Sequence, residues 1–303
     1  MTNRRPRVSI GLPVYNGEQF LSESLSSILA QTFEDYELII SDNASTDRTP
    51  EICRAYAARD ARVHYYRNAT NLGGARNFNR VFELSSGEYF KWVAADDVCA
   101  PTFLARCVEA LDGEPEAVLA YPRARCIDER GRVLHSYEGA AQGPDWSPEP
   151  MGRFRRLVDE YADNPGGYTP VYVFGLIRAR ALRQTHLIDD YMSADCNLLA
   201  ELTLMGKFIN VPEYLSFLRL HPGSLYWSFR HRLAKVREWY DPAMKGYMSV
   251  VVWRWRSHLE YFALIVRAPL GCRQKIGLLA HTAGAEVKRL RRGLGRQLHW
   301  AWR

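Results

Sequence analysis

The chain has no uninterrupted apolar run of about 18 residues, so no helix that spans a membrane is expected. Its N-terminus, Met1-Thr-Asn-Arg-Arg-Pro-Arg7, enters an apolar strand pattern directly, without the apolar stretch of a secretory leader. The 6 cysteines, at positions 53, 99, 107, 126, 196 and 272, form no CxxC pair and no zinc spacing. Scattered through core-like segments, they argue against a disulfide scaffold and suit a reducing compartment, so a cytoplasmic protein is expected. No internal repeat or low-complexity tract is visible, which excludes a solenoid. Acidic residues are scarce at one end: from Ser228 to Arg303 there are 4 Asp+Glu against 16 Lys+Arg. The first 227 residues hold 30 against 24, so the net charge of +6 hides an acidic body and a basic tail. Such a tail suits an acidic surface, while the acidic body weighs against a nucleic-acid-binding protein.

What is present is an ordinary globular composition, 47% apolar and 24% charged, in 303 residues. That length can bury a full core as one large or two ordinary domains. Val8–Val14 is an apolar run closed by Tyr15-Asn16-Gly17, and Leu21, Leu25, Ile28 and Leu29 repeat at helical spacing behind it. Tyr36–Asp42 predicts a second strand, and Thr49-Pro50 an N-cap with a first-turn proline for a helix to Arg59. Val63–Tyr66 predicts a third strand, and the glycine turn Asn71–Asn77 opens a helix to about Leu84. Glu88–Ala95 predicts a fourth strand. Short apolar strands alternating with helices imply right-handed βαβ units in a mainly parallel sheet. Further along, a helix near 101–112, a strand at 117–121, a hairpin turning at Glu129–Gly131 and a helix near 151–162 are expected. Val171–Ile177 reads as a strand or the start of a strand–helix unit, Cys196–Met205 as a helix closed by Gly206, and 208–212 and 214–221 as strands.

The chemistry collects at strand ends. Asp96 and Asp97 follow an aromatic strand, and two adjacent carboxylates there call for a cation or a ligand. An N-cap for the helix near Pro101 is the plainer alternative. Pro13-Val-Tyr15-Asn16 and Asp42 end two other strands, and in a parallel sheet all three ends converge. Tyr15 can stack on a base, Asp42 can accept from a base N–H, Asp96 can bind ribose hydroxyls, and Asp97 can ligate a hard cation.

With those motifs in place the sequence resembles the family 2 glycosyltransferases, inverting enzymes of the GT-A fold that use nucleotide-sugar donors. The matching pieces are Val8–Asn16, Ser41–Asp47, Asn71–Asn77 and Gly87–Asp97, covering roughly residues 7–112 and more loosely the chain to about 224. The resemblance implies an α/β chain with a mainly parallel sheet, and a GT-A catalytic domain over 1–224. Within it, 1–112 would be the nucleotide-sugar-binding half and 113–224 the acceptor half, followed by a basic helical region over 225–303. It implies that Pro13, Tyr15, Asn16, Asp42, Asn71, Gly73, Arg76, Asp96 and Arg219 face the donor, a UDP-sugar first and a GDP- or dTDP-sugar otherwise. Arg76 and Asn77 read equally well as a solvated helical turn. Asp97, with His221 of Leu218-Arg-Leu-His-Pro-Gly-Ser224, would hold Mg²⁺ or Mn²⁺. Many members carry an extra Asp before the pair, where this chain has Ala94-Ala95, so the metal would rest on few protein ligands. The catalytic base would be Asp195 in Ser193-Ala-Asp195, with Ala194 in place of the usual Glu; Asp189 and Asp190 are rivals, and Ser193 or Asp195 could instead be an N-cap.

The acceptor would be a glycan, a lipid-linked molecule or a small molecule, in cell-envelope or polysaccharide synthesis. The processive members' Gln-x-x-Arg-Trp segment is missing, which implies single addition. A nucleotidyltransferase, the rival enzyme class, would want a Gly-rich, Lys- or Arg-bearing loop after the first strand, and Pro13-Val-Tyr-Asn is not one. In the tail, Val287, Leu290, Leu294, Leu298 and Trp302 form a stripe among basic residues. It could lie on an anionic membrane, pack on the catalytic domain or join a homodimer. Phe229–Arg267, with Trp239, Trp253, Trp255 and Tyr261, is also amphipathic and is expected to cover the acceptor side.

Overall fold

A computed structural model describes residues 5–136, 146–163, 169–191, 193–224 and 247–301. The first half is β1 (Val8–Val14), α1 (Leu21–Leu29), β2 (Tyr36–Asp42), α2 (Thr49–Ala57), β3 (Val63–Arg67), α3 (Gly74–Glu83) and β4 (Tyr89–Trp92). Next come β5 (Val98–Cys99), α4 (Phe103–Gly113), β6 (Ala117–Ile127) and β7 (Val133–Ser136). The second half holds α5 (Pro150–Asp163), α6 (Thr169–Val173), β8 (Leu176–Arg178), α7 (Ala179–Leu182), α8 (Ala194–Met205) and β9 (Lys207–Arg219). Two long helices, α9 (Tyr247–Arg267) and α10 (Cys272–Ala301), follow.

The sheet runs β3-β2-β1-β4-β8-β6-β9-β5, with β7 on β6. Its first four strands are parallel, as the βαβ reading requires, and Val14 stands beside Asp42 in register. Short antiparallel ladders join β8 to β4 and β6, while β6 and β9 run parallel over most of their length. Every residue of β1 is buried, which is why it reads as a continuous apolar run rather than an alternating one. Gly11 has no Cβ because one would lie 2.6 Å from both Phe90 and Val81; the missing methyl lets α3 sit close on the sheet.

Helices cover both faces. On one, Val8, Ile10 and Leu12 pack against Leu21 and Leu25 of α1 and Phe103 and Cys107 of α4. On the other, Phe90, Trp92, Leu119 and Tyr121 pack with Phe154 of α5, Leu198 and Leu202 of α8, Tyr261 and Ile265 of α9, and Leu278 of α10. The C-terminal helices therefore build part of the core. All 6 cysteines are free thiols, and only Cys272 is exposed.

Several boundaries differ from the sequence reading. The strand expected over Glu88–Ala95 ends at Trp92, because the chain turns there and Asp97 N–H closes on the Ala94 carbonyl at 3.3 Å. The segments at 208–212 and 214–221 are one strand, β9, which crosses Pro212 through register shifts. Val171-Tyr-Val173 is helical, and the strand follows it. Thr49 is the first residue of α2 rather than its N-cap; Arg48 is the N-cap, and the Thr49 hydroxyl accepts instead from Gly17 N–H at 2.9 Å. Gly206 closes α8 with extended backbone, φ −174°, so its glycine is needed for space: a Cβ would lie 2.5 Å from the Glu116 carbonyl and from Val118.

Candidate active site

The loops after β1 and β2 are stitched together. Asn16 N–H donates to Ser45 Oγ at 2.9 Å, Thr46 N–H to Asn16 Oδ1 at 2.8 Å, and Glu18 N–H to Asp47 Oδ2 at 3.0 Å. Asn16 itself sits in the left-handed region, φ 50°, a turn conformation asparagine tolerates. Tyr15 stands 49% exposed on this rim, an aromatic face offered to solvent. Pro13 is buried. Asp42 is fully buried. Its Oδ1 accepts from Ser45 N–H at 2.8 Å and its Oδ2 from Tyr65 OH at 2.8 Å, with the Arg67 guanidinium 3.6 Å away. Burial, and then the bond to Asp42, pushes the Tyr65 hydroxyl up to about 12, so it stays a donor.

Beside this rim a cluster of amides joins Asn71 and Asn77, both named from the sequence, to Asn43 and Asn68, which local sequence does not mark. Asn43 Nδ2 donates to Asn71 Oδ1 at 2.7 Å, Leu72 N–H donates to Asn43 Oδ1 at 2.8 Å, and Asn77 Oδ1 accepts from Ser41 Oγ at 2.7 Å. Asn68 Nδ2 joins Asn43 to Asn77 with bonds of 3.0 Å to each. Asn71 also accepts from Gly73 N–H at 2.9 Å, and Gly73, at φ 85°, turns the chain into α3. Asn71 and Gly73 thus shape the loop, and Asn77 braces it from a buried position instead of forming a solvated turn. Arg76, in the first turn of α3, is exposed and has no partner among the described residues.

The acidic pair is held from the far end of the chain. Arg219 N–H donates to Asp97 Oδ1 at 2.8 Å, and His221 Nε2 lies 3.0 Å from Asp96 Oδ2. Gly223 N–H donates to His221 Nδ1 at 3.2 Å, so the neutral ring carries its proton on Nε2 and donates to Asp96. Sequence reasoning grouped His221 with Asp97; the structure sets the ring on Asp96. The Arg219 side chain does not lie open to solvent as a donor-facing group would. It is fully buried, paired with Glu23 at 2.7 Å, and donates to the carbonyls of Asp96 at 2.9 Å, Asp128 at 3.0 Å and Glu129 at 3.2 Å. Phe20 supports both residues, its ring 4.7 Å from the His221 ring and 4.7 Å from the Arg219 guanidinium. The start of α1, through Phe20 at its N-cap and Glu23 in its first turn, thereby braces the residues that hold the acidic pair.

The Asp97 carboxyl is pushed well above the usual carboxylate range, first by burial and then by the charge of Asp96. Lys91, on β4, is buried with its amine on the Phe174 carbonyl and 3.8 Å from the centre of the Phe103 ring. Burial lowers its pKa, and the Asp97 charge acts in the other direction. No three His, Cys, Asp or Glu side chains gather as a ligand cluster among the described residues. Two adjacent carboxylates, one of them costly to ionise, nevertheless fit a hard cation that takes one or two carboxylates and completes its shell with phosphate and water.

Asp195 lies apart from both groups in sequence, in the first turn of α8, partly buried and with Oδ1 3.8 Å from Cys196 Sγ. The N-cap of α8 is Ser193, at φ 66°, and its side chain makes no capping bond. Instead Ser193 Oγ accepts from Tyr161 OH. Arg256 of α9 occupies both rivals, 2.9 Å from Asp190 and 3.6 Å from Asp189.

A model of the glycosyl transferase family 2 matches residues 9–184. The chain belongs to glycosyl transferase family 2. An uncharacterized glycosyltransferase of Haemophilus influenzae is 30% identical over 232 residues, 75% of this chain and 69% of that protein. The putative glycosyltransferase EpsE of Bacillus subtilis is 37% identical over 111 residues, 36% of this chain and 40% of its own length. Among solved structures, S. aureus TarS 1-349 in complex with UDP-GlcNAc superposes with a TM-score of 0.69 at 16% identity, covering 92% of this chain and 72% of that one. The Pyrobaculum calidifontis mannosyltransferase PcManGT, in complex with GDP-Man and Mn2+, gives 0.53 at 18% identity over 98% and 81%. The fold is therefore the GT-A fold, and the chain is a sugar-transferring enzyme of this family.

Proposed function

We propose that this glycosyltransferase moves a sugar from a nucleoside diphosphate sugar to an acceptor hydroxyl in a single inverting displacement. The observation that carries the reading is the acidic pair: Asp96 and Asp97 sit side by side beyond β4, held by His221 and by the Arg219 N–H. A carboxyl raised by burial and by its neighbour gains most from a divalent cation. When bound, Mg²⁺ or Mn²⁺ would supply Lewis-acid stabilisation of the departing diphosphate. Asp97 would hold it, and Asp96, which the resemblance assigns to the ribose, would share it, with His221 keeping Asp96 in place. Tyr15 would stack on the base, with Asn16, Asn71 and Gly73 shaping its loop and Pro13 packed behind it. Asp42, expected at the base edge, is fully buried on Ser45, Tyr65 and Arg67 and would brace the rim behind the base, and exposed Arg76 would lie beside the nucleotide.

Asp195 would take the proton of the acceptor hydroxyl as its oxygen attacks the anomeric carbon; that carbon–oxygen bond forms as the bond to the diphosphate breaks on the opposite face. A UDP-sugar is favoured, in keeping with the TarS complex, and a GDP-sugar is the next choice, in keeping with PcManGT. The acceptor would be a glycan, a lipid-linked molecule or a small molecule. Residues 1–224 would form the catalytic domain and 225–303 a basic region able to rest on a membrane's inner face or pair with a second copy. Lys288 and Arg289, two of the basic residues that flank its expected apolar stripe, turn to the body, on Asp163 and Tyr161. The side chains from 290 onward, Trp239 and the side chain of Trp253 lie outside the described residues. No described helix is long and apolar enough to cross a membrane. Thermal shift and donor hydrolysis with a panel of UDP-, GDP- and dTDP-sugars, with and without Mn²⁺, test the reading: one nucleotide class should bind in a metal-dependent way, and no response to any of them would sink it.

A further inference from the structure

The segment that carries Asp195 is held directly by Arg256 and Ser257 of α9, and by Arg289 of α10 through Tyr161 of α5. From α9, Arg256 reaches Asp190 at 2.9 Å and Asp189 at 3.6 Å, and its guanidinium lies 5.0 Å from the centre of the buried Tyr191 ring. Ser257, also on α9, pairs reciprocally with Asn197 of α8, both bonds 3.3 Å and buried. From α10, Arg289 lies 4.7 Å from the centre of the Tyr161 ring, and Tyr161 OH donates to Ser193 Oγ. Arg289 is itself fixed by a buried set: its NH2 is 3.0 Å from His258 Nε2, its NH1 is 3.5 Å from Glu286, and His258 Nδ1 is bonded to Glu286.

The place where these contacts converge is strained. Ser193 has φ 66°, outside the region L-residues prefer, and it sits two residues before Asp195. A residue in that conformation persists only where its surroundings hold it, and such strain gathers at functional sites. Burial keeps the Tyr161 hydroxyl protonated, so it serves Ser193 as a permanent donor. The two helices, of 21 and 30 residues, bring Arg256 directly to Asp189, Asp190 and Tyr191, Ser257 to Asn197, and Arg289 to Ser193 by way of Tyr161 of α5.

We propose that α9 and α10 form a positioning clamp for the catalytic base, in which Arg289, Tyr161 and Ser193 fix where the Asp195 carboxylate points and Arg256 fixes the approach to it. None of these residues touches the reacting atoms; they act through Asp195. The inference rests on the reading of Asp195 as the base.

The test uses the full chain, with transfer turnover, donor KM and melting temperature measured together. Tyr161→Phe and Ser193→Ala should each lower kcat by about tenfold to a hundredfold, the scale of a carboxylate displaced by an ångström or less. Donor KM should stay within about twofold, because donor binding does not involve the clamp. The double variant should be no slower than the slower single one, since both act through one contact. Arg289→Lys should retain more turnover than Arg289→Met. Unchanged kcat in both single variants, additive losses in the double, or a loss that follows melting temperature or donor KM would overturn the clamp. Asp195→Asn is assayed alongside: if it stays active, the base reading and the clamp fall together, whereas an inactive Asp195→Asn with a fully active Tyr161→Phe removes the clamp alone.

Discussion

His221 Nε2 stands 3.0 Å from Asp96 Oδ2, across 125 residues of sequence. That contact joins the end of β9 to the turn after β4 and orients one of the two carboxylates on which a metal-bound diphosphate would rest. His221→Ala removes the donor to Asp96 and the ring that packs on Phe20. Donor affinity in the presence of Mn²⁺ should fall by about tenfold, the weight of one outer hydrogen bond to a metal-binding carboxylate. Calorimetric titration of the donor checks this; unchanged affinity removes His221 from the site.

Asp97→Asn keeps the shape of the side chain and the acceptor for the Arg219 N–H, but removes the charge. Without a donor or metal the variant should be as stable as the parent or more so, because the Asp97 carboxyl is costly to ionise where it lies. With Mn²⁺ the parent should bind its donor more tightly than without, and the variant should show little difference between the two conditions. Paired titrations decide it.

Arg219 is a test of architecture. Its buried guanidinium serves three backbone carbonyls and Glu23, so Arg219→Met should cost about 3 kcal/mol or more by leaving those acceptors unmet. Glu23 is half exposed, and Glu23→Gln should cost under about 1 kcal/mol. Urea unfolding of the two variants distinguishes a carbonyl clamp from a simple ion pair.

A pH effect follows from Arg7 and Asp112. The guanidinium bonds both carboxylate oxygens, at 2.8 and 3.0 Å, and Tyr89 OH donates at 2.6 Å, so the Asp112 carboxyl is held below its usual value, chiefly by Arg7. Its folded pKa lies below its unfolded one, so the stabilisation is present at neutral pH and is lost as the pH falls through the folded value. Asp112→Asn should therefore lower stability at pH 7, by no more than about 1 kcal/mol because the pair is partly exposed to solvent. The difference should shrink below about pH 4, where the parent carboxyl protonates as well. Denaturation midpoints across that range provide the check.

Much of the N-terminal half was legible in the sequence because its signals are local. The buried parallel strands β1 and β2 read as continuous apolar runs, and Asn71–Asn77 announced its turn through Gly73. The acidic pair was visible for the same reason, a polar stop on an apolar strand. What escaped notice depends on contacts between distant residues. Nothing near Arg219 in the sequence says that it reaches Glu23 and Asp96, and nothing near Lys91 says that its amine will lie on the Phe174 carbonyl. The asparagines at 43, 68 and 77 resemble surface turn residues until the loops close over them. Val171-Tyr-Val173 reads as strand by its β-branched and aromatic residues, yet it is helical and sets the Tyr172 ring on Tyr121 of β6, a contact that propensity does not register.

The central claim is that one carboxylate accepts the proton while another pair serves the departing diphosphate. Turnover and donor affinity of Asp195→Asn, measured on the same preparation, test it most directly. The account predicts that transfer falls by about a thousandfold or more while donor affinity stays within about twofold of the parent. An Asp195→Asn enzyme that still turns over at a rate near the parent's would contradict it.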